Sequence, residues 1–527
     1  MKNQISSRRP ISRRAFVTRA SLAALAFQSR HALALDAPVS ATVRAPSGTF
    51  RGEIANNVRV FRGVPFAEPP AGALRFRPPV KAKPSSGERD ATHFPASAMQ
   101  WHETIAPGEP PITHSEDCLY LNIWAPEGNG PFPVFVWIHG GGFVSGHAFE
   151  PMYDGTEFAR AGIVLITVGY RLGVFGFLDL GPLLDEKAES EYAGSANNAL
   201  RDIIMALEWV RENVASFGGD PNRVTIGGES AGAKLTDILM GVPSAQPLFH
   251  QMISESGGAE RIWTAANSAT VANGFGEEWR KSSGKDLPSL KTAPASLIIE
   301  SQHSFLEQWP QHFPLRAEVD GDLIPRLPIQ TIAAGSTRGK RLLIGTNRDE
   351  SALFIGPHPQ SDPAAKDLGN LSLAKFEEVL ERYKQIYPEM TEEQLRIRAV
   401  TAEEYWIPTV RVADAHLQGG GSAWMYQLDF SETNGRLRGY SYHSLDVGLV
   451  WNRPHADAEN ESAEAALAKQ VHQAWVAFIR GDTPAAPGLP EWPAYSTTAR
   501  PTMIFDTQSR IERKPQDAER RLWDGVL

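Results

Sequence analysis

Apolar residues along this chain fall into two patterns. Short, mostly apolar runs of strand length occupy residues 133–138, 163–168, 223–226, 341–344 and 423–430. Residues 198–217 and 467–478 instead place apolar side chains at helical spacing. Such runs are typical of strands buried on both faces of a sheet. Their alternation with amphipathic helices predicts an α/β fold with a doubly wound, mostly parallel sheet.

One junction between a strand and a helix contains a candidate nucleophile. After the helix 198–217, a turn is predicted at residues 218–221, followed by the strand 223–226 and then Gly228-Glu-Ser-Ala-Gly232. This is G-x-S-x-G, the turn that exposes a serine above the sheet of an α/β hydrolase. The flanking glycines let strand and helix pass closely while the serine adopts strained dihedrals. We therefore interpret Ser230 as a nucleophile, with a structural serine as the alternative.

A glycine-rich segment follows the buried strand 133–138. His139-Gly-Gly-Gly-Phe143 offers backbone N–H groups without intervening side chains, as stabilisation of a negatively charged carbonyl oxygen requires. A phosphate-binding loop is the competing interpretation. The segment lacks the Gly-Lys-Ser/Thr and the G-x-G-x-x-G spacing of such loops, so an oxyanion hole is favoured.

Two further motifs resemble a known family. Phe61-Arg-Gly-Val-Pro-Phe-Ala-Glu-Pro-Pro70, followed by Leu74-Arg-Phe76, and Ser115-Glu-Asp-Cys-Leu-Tyr-Leu-Asn122 are similar to motifs of the type-B carboxylesterases, the cholinesterase-like branch of the α/β hydrolases. Family features run from about residue 43 to about residue 506. The resemblance implies the α/β-hydrolase fold and an ion pair between Arg75 and Glu116. It also implies a single catalytic domain over 35–527, with helical insertions at about 265–310 and 371–418 that cover the active-site edge.

The resemblance also implies the partners of Ser230. The family's acid is the second carboxylate of Gly345-Thr-Asn-Arg-Asp-Glu-Ser351, which is Glu350, with Asp349 as the fallback. Its histidine corresponds to His443 in Tyr442-His-Ser-Leu-Asp446, a looser match to the family's His-x-x-Glu, with His455 as the nearest rival. The chain order serine, acid, histidine is the one that this fold requires.

Further site residues are carried over in the same way. The resemblance places the oxyanion donors at Gly141, Gly142 and Ala231, and a supporting serine at Ser256. Glu229, beside the nucleophile, either positions the hydrolytic water or forms a structural hydrogen bond. Lys234 and Gly227 depart from the residues that relatives usually have beside the nucleophile.

These residues predict a serine carboxylesterase that acts on a small-molecule ester through an acyl-enzyme. The same mechanism on a carbamate, an amide or a long-chain lipid ester is the alternative, followed by a non-catalytic binding protein of the same family. No metal-ligand spacing is present, and neither a metal nor another cofactor is expected. The sequence leaves the oligomeric state open.

Composition adds a prediction about cellular location. The 527-residue chain has a net charge of −9, yet residues 1–34 contain Lys2, six arginines and no acid. Ser12-Arg-Arg-Ala-Phe-Val17 resembles a twin-arginine export signal, and Ala32-Leu-Ala34 is a candidate cleavage site; a disordered basic tail is the alternative. Removing the seven positive charges takes the net charge from −9 to −16 (−9 − 7), which disfavours nucleic-acid binding. No apolar run approaches the ~18 residues of a membrane span, and a periplasmic or secreted protein is predicted.

The chain contains a single cysteine, Cys118, so no intramolecular disulfide can form. We predict that it is a buried core residue, with a catalytic thiol as the alternative reading.

Overall fold

A large mixed sheet forms the centre of the protein. The computed structural model describes residues 39–101, 112–184, 192–355, 371–454 and 461–527. The strands in these ranges are β1 (Val39–Ala45), β2 (Gly48–Ala55), β3 (Val58–Pro65), β4 (Glu88–Asp90), β5 (Ser97–Ala98), β6 (His114–Ser115), β7 (Tyr120–Pro126), β8 (Phe132–Ile138), β9 (Val164–Val168), β10 (Gly219–Glu229), β11 (Gln251–Glu255), β12 (Trp263–Thr264), β13 (Glu318–Val319), β14 (Arg341–Asn347), β15 (Ser422–Leu428), β16 (Pro501–Phe505) and β17 (Arg510–Arg513).

Within the described residues, thirteen strands belong to this sheet, in the order β1-β2-β3-β7-β9-β8-β10-β11-β14-β15-β16-β17, with β4 beside β2. The seven neighbouring strands β9-β8-β10-β11-β14-β15-β16 are parallel to one another. This confirms the predicted doubly wound α/β sheet. Along this order, the strands that extend the sheet at its two edges pair antiparallel, whereas β4 pairs parallel with β2.

Helices cover both faces of the sheet. The α-helices in the described ranges are α1 (Thr156–Arg160), α2 (Gly173–Phe177), α3 (Asn198–Asn213), α4 (Ala231–Leu239), α5 (Ala265–Ser283), α6 (Ala295–Gln308), α7 (Pro328–Ala333), α8 (Leu373–Ile386), α9 (Glu392–Thr401), α10 (Ile407–Gln418), α11 (Leu445–Val450), α12 (Glu461–Arg480) and α13 (Asp517–Leu522). A π-helical turn, Ala402–Trp406, joins α9 to α10.

Alternate residues of β8 enter two different hydrophobic cores. Val136 packs in the core that contains Leu200 of α3. Its neighbour Trp137 packs in the core that contains Val471 and Trp475 of α12. Successive side chains of a strand point to opposite faces of a sheet, and so the unbroken apolar run of β8 results from burial on both faces. The predicted helices 198–217 and 467–478 are each present, on opposite faces.

The predicted turn at residues 218–221 differs from the structure. Strand β10 already begins at Gly219, which pairs with Phe132 of β8, and the register shifts before Val224. An irregularity in the pairing therefore accommodates the residues that resemble a turn in the sequence.

The segments predicted as insertions contain helices α5 and α6, and helices α8 to α10. The division of the chain into one catalytic domain with two insertions stays a prediction. The predicted export segment, residues 1–34, lies outside the described residues. Among the helices that are described, none has the length and apolar character needed to cross a bilayer.

The ion pair predicted between Arg75 and Glu116 is present and nearly buried. Nε and Nη2 of Arg75 lie 2.6 and 2.5 Å from the two carboxylate oxygens of Glu116. Nη1 donates to the backbone carbonyls of Leu290 and Ala293. The guanidinium thus joins the N-terminal part of the chain to the loop between α5 and α6. Cys118 is buried as predicted, and burial raises the pKa of its thiol far above the usual range.

Replacing Arg75 by Met should lower the free energy of unfolding by about 3 kcal/mol, because the substitution leaves a nearly buried carboxylate without its partner. Denaturant titration measures the change. Lys81→Met is the matched control, because the pair between Lys81 and Glu212 is largely exposed and such pairs contribute less than about 1 kcal/mol. Equal effects of the two substitutions would contradict a structural role for the Arg75 pair.

Candidate active site

The site lies at the edge of the sheet where the parallel strands have their carboxyl ends. The loop 139–143 follows β8, Ser230 follows β10, and Ser256 follows β11. Glu350 follows β14, and His443 lies in the segment between β15 and α11. Open α/β sheets bind ligands at this edge, and here the parallel pairing gathers residues that are distant in sequence.

Ser230 occupies the sharp turn predicted from G-x-S-x-G. Its backbone has φ 56° and ψ −121°, a strained conformation for a residue with a side chain. Its N–H donates to the carbonyl of Glu255 and its carbonyl accepts from the N–H of Lys234, both at 2.9 Å. These bonds join the turn to β11 on one side and to the first turn of α4 on the other.

The glycines of this turn are required by a close contact with β8. A Cβ atom on Gly232 would lie 1.9 Å from the carbonyl oxygen of Ile138, and one on Gly228 would lie 2.3 Å from it. Both distances are far below van der Waals contact. Helix α4 therefore begins directly against the end of the strand that leads into the glycine loop.

That loop lies beside the serine. A Cβ on Gly140 would be 3.2 Å from the Cβ of Ser230. Gly141 and Gly142 have φ values of 108° and 61°, and the carbonyl of Gly141 accepts hydrogen bonds from the N–H and hydroxyl of Ser145. Ala231 is the first residue of α4, where an N–H has no acceptor within the helix. The structure thus brings the loop that contains Gly141 and Gly142 beside Ser230, which Ala231 directly follows, and the role of these three residues as oxyanion donors stays a prediction.

His443 pairs with Glu350 and not with the fallback Asp349. Nδ1 of His443 lies 2.6 Å from Oε2 of Glu350. The other oxygen of Glu350 accepts from the hydroxyl of Ser256 at 2.5 Å and from the N–H of Asn347 at 2.7 Å. An ionised carboxylate only accepts hydrogen bonds, so Nδ1 carries a hydrogen and Nε2 is the nitrogen that can exchange a proton.

The carboxylate of Asp349 binds other groups. It lies 2.8 Å from a guanidinium nitrogen of Arg348 and accepts from the N–H of Ser441 at 3.0 Å. The rival histidine, His455, lies outside the described residues.

A second carboxylate faces the other ring nitrogen of His443. Oε1 of Glu229 lies 3.2 Å from Nε2 and accepts from the hydroxyl of Ser444 at 2.6 Å. Burial lowers the pKa of His443, but Glu229 and Glu350 outweigh it and the pKa is raised above its usual value. Burial raises the pKa of Glu229 to about 7 against the opposing effect of His443. Glu229 thus forms a structural hydrogen bond with Ser444, and its role toward the hydrolytic water stays a prediction.

Two more buried acids, Asp446 and Glu255, lie near Glu229 and Glu350. Asp446 accepts from Asn347 and from the hydroxyl of Tyr426, and burial raises its pKa to about 6. Glu255 accepts from the indole of Trp475, and burial holds its pKa well above its usual value.

Aromatic side chains flank the imidazole. The ring centroids of Tyr405 and Phe354 lie 4.7 and 5.3 Å from that of His443. Sequence reasoning missed both residues. Tyr405 comes from the π-helical turn, which carries no motif, and only the folded chain brings it to the site.

A hydrolase of the α/β-hydrolase fold is the class of protein that this edge of the sheet defines. The model of the carboxylesterase family matches residues 39–523. The chain therefore belongs to the carboxylesterase family and is a carboxylic ester hydrolase.

Individual relatives agree with this membership. The chain is 32% identical to para-nitrobenzyl esterase of Bacillus subtilis over 489 residues, which cover 90% of this chain and 96% of the relative. It is 31% identical to liver carboxylesterase of Sus scrofa, with 90% of each chain covered. The crystal structure of carboxylesterase EST55 of Geobacillus stearothermophilus superposes with a TM-score of 0.79 at 32% identity, over 92% of this chain and 99% of the other.

Replacing Gly232 by Ala should destabilise the protein by about 2–3 kcal/mol, because the new methyl group collides with the carbonyl of Ile138. Helix propensity alone predicts the opposite sign, since Ala is favoured over Gly inside helices by about 1 kcal/mol. Denaturant titration of the free energy of unfolding distinguishes the two. Gly284→Ala is the control, because that glycine has a positive φ but no atom within 4 Å of the added Cβ, and it should cost only about 1–2 kcal/mol. A stabilised Gly232→Ala variant would refute the close approach.

Proposed function

We propose that the protein hydrolyses small-molecule carboxylic esters through an acyl-enzyme on Ser230, with His443 as general base and Glu350 as its orienting acid. The observation that carries this proposal is the 2.6 Å contact between His443 and Glu350, next to a serine on a strained turn. A serine hydroxyl is a poor nucleophile until a base takes its proton, and the base needs an anion to orient it.

The proposed reaction has two halves. Nε2 of His443 takes the proton of Ser230 as Oγ attacks the carbonyl carbon, and the carbonyl oxygen becomes an anion that accepts from the N–H groups of Gly141, Gly142 and Ala231. His443 then protonates the leaving alcohol. A water molecule attacks the acyl-enzyme in the same way and releases the acid and Ser230.

Glu229 and Ser256 support this cycle in different ways. Ser256 holds Glu350 through the hydroxyl contact at 2.5 Å. Glu229 contacts the nitrogen that must serve Ser230, and its bond to Ser444 fixes the carboxylate beside the imidazole. The carboxylate favours the imidazolium that forms when His443 takes up the serine proton.

Replacing Ser230 by Ala should lower ester turnover by about 10⁴-fold or more, because the acyl-enzyme can no longer form, while the free energy of unfolding changes little. His443→Ala should have an effect of similar size. The measurement is hydrolysis of p-nitrophenyl esters from C2 to C12 by the mature chain. His455→Ala is the matched control and should keep nearly all activity.

The acyl-chain series also separates the candidate substrates. Turnover that favours short chains supports a carboxylesterase, and a long-chain preference supports a lipid esterase. Survival of activity in Ser230→Ala would refute the site. Absence of turnover in the unsubstituted chain, together with no labelling by a fluorophosphonate, would instead support a binding protein.

We also propose that residues 1–34 are a twin-arginine signal that directs the protein to the periplasm or the medium. The support is the Ser12-Arg-Arg-Ala-Phe-Val17 motif and the absence of acids from this segment. Removal of the signal would leave residues 35–527 as one catalytic domain, in which the insertions cover the site edge. The contact of Tyr405, from the second insertion, with His443 supports this arrangement.

In a bacterial host with the twin-arginine pathway, the full chain should be exported and cleaved near residue 34. Arg13→Lys with Arg14→Lys should keep the chain uncleaved in the cytoplasm, because the pathway reads the arginine pair. Cell fractionation and the mass of the mature N-terminus measure the outcome. Export that is unaffected by the double substitution would contradict the proposal.

A further inference from the structure

Lys234 brings a buried positive charge into the first turn of the helix that starts at the nucleophile. It lies four residues after Ser230, and its N–H donates to the Ser230 carbonyl. Its side chain is 4% exposed, and Nζ lies 2.6 Å from Oε1 of Glu404. A lysine is almost never buried to this extent without a partner. Glu404 is that partner, and it belongs to the π-helical turn between α9 and α10.

Two arginines extend this pair into a buried ionic cluster. Arg261 lies 3.0 Å from the carboxylate of Glu403 and 3.3 Å from that of Glu404, and it donates to the backbone carbonyl of Glu403. Arg316 donates to the backbone carbonyls of His312 and Phe313. Burial lowers the pKa of Arg316 to about 10, against the opposing effect of Glu404.

An aromatic ring, that of Tyr405, links the cluster to His443. Nζ of Lys234 lies 4.6 Å from the ring centroid of Tyr405. The same ring lies 4.7 Å from the imidazole of His443. Tyr405 directly follows Glu403 and Glu404 in the π-helical turn, so the ion pairs that hold these two glutamates also fix the position of the ring against His443.

Stability alone does not explain this arrangement. Taking charged groups out of water costs free energy that their mutual attraction often fails to recover, and apolar replacements of similar volume are commonly neutral or stabilising. A π-helical turn is also less favourable than a regular helix and is frequent at functional sites. A cluster of this kind, separated from the proposed base by one aromatic ring, indicates a role in the reaction.

The charges around His443 show what that role requires. Carboxylates face the imidazole from the end of β10 (Glu229) and from the segment after β14 (Glu350), and Asp446 of α11 and Glu255 of β11 lie behind them. All of these acids favour the protonated imidazole when they are ionised. Lys234, from α4, acts in the opposite direction. The ring of Tyr405 and that of Phe354 complete these surroundings.

We propose that Lys234 is a positioning residue for His443: its ion pair with Glu404 holds Tyr405 against the imidazole, and its positive charge opposes the carboxylates that would keep the imidazole protonated. This inference rests on the proposed role of His443 as general base. It assigns a function to a residue that departs from the family pattern beside the nucleophile.

The test is the pH dependence of kcat/KM for a p-nitrophenyl ester, whose acid limb reports protonation of the free enzyme's base. In Lys234→Met, the lost positive charge favours the imidazolium, and the acid limb should move to higher pH by about 0.5–1 unit. In Glu404→Gln, the lost negative charge disfavours the imidazolium, and the acid limb should move to lower pH. The double variant removes a neutral pair and should return the limb close to its original pH, while kcat/KM stays reduced because Tyr405 is no longer held.

Two further variants keep the test decisive. Lys281→Met removes an exposed lysine that pairs with Glu278 and should not move the limb. Lys234→Arg keeps the charge but changes the shape, and should lower kcat/KM without moving the limb. If the methionine variant does not fold, Lys234→Arg is compared with Glu404→Gln instead. The acid limb should then move to lower pH in Glu404→Gln and stay in place in Lys234→Arg.

Failure of this inference differs from failure of the proposed function. If His443→Ala is inactive but Lys234→Met and Glu404→Gln lose activity with the acid limb unmoved, the cluster is only structural and the inference is overturned. If His443→Ala remains active, the proposed function itself fails.

Discussion

The active site depends on one close approach of two backbones. The end of β8 and the start of α4 are so near that a single methyl group on Gly232 would overlap the carbonyl of Ile138. The same contact brings the glycine loop after β8 beside Ser230. Ser230 and the glycine loop that contains the proposed oxyanion donors are therefore held against each other by two rigid elements, β8 and α4, and precise catalytic geometry benefits from such support.

Around this contact the protein concentrates buried charge. His443 has a carboxylate at each ring nitrogen, and the cluster of Lys234, Arg261, Arg316, Glu403 and Glu404 lies one aromatic ring away. In a site with little water, each of these charges acts strongly on its neighbours. The pKa of the proposed base thus reflects the opposing effects of burial, carboxylates and Lys234, and residues outside the proposed triad contribute to it.

Sequence motifs predicted the residues that lie at strand ends. Ser230, Glu350 and the glycine loop each occupy a short local pattern, and the structure places all of them at one edge of the sheet, with Glu350 and not Asp349 against His443. The ion pair of Arg75 and Glu116 could be predicted in the same way, because both residues stand in motifs that resemble the family's, and the structure contains it. Of the turn predicted at residues 218–221, only Gly218 is present as a turn, because strand pairing with Phe132 extended β10 to Gly219.

By itself, the sequence determined the alternation of strands and helices, the order of the candidate catalytic residues and the strained turn at Ser230. The alternation and the strained turn depend on local hydrophobic periodicity and on the steric freedom of glycine, which are properties of neighbouring residues, whereas Glu350 and His443 followed from the resemblance to the family. Only the tertiary structure decided that Tyr405 contacts His443, that Glu229 pairs with Nε2, and that Lys234 meets Glu404 across 170 positions of the chain. These contacts join segments far apart in sequence, and no local pattern of residues encodes the distance between them.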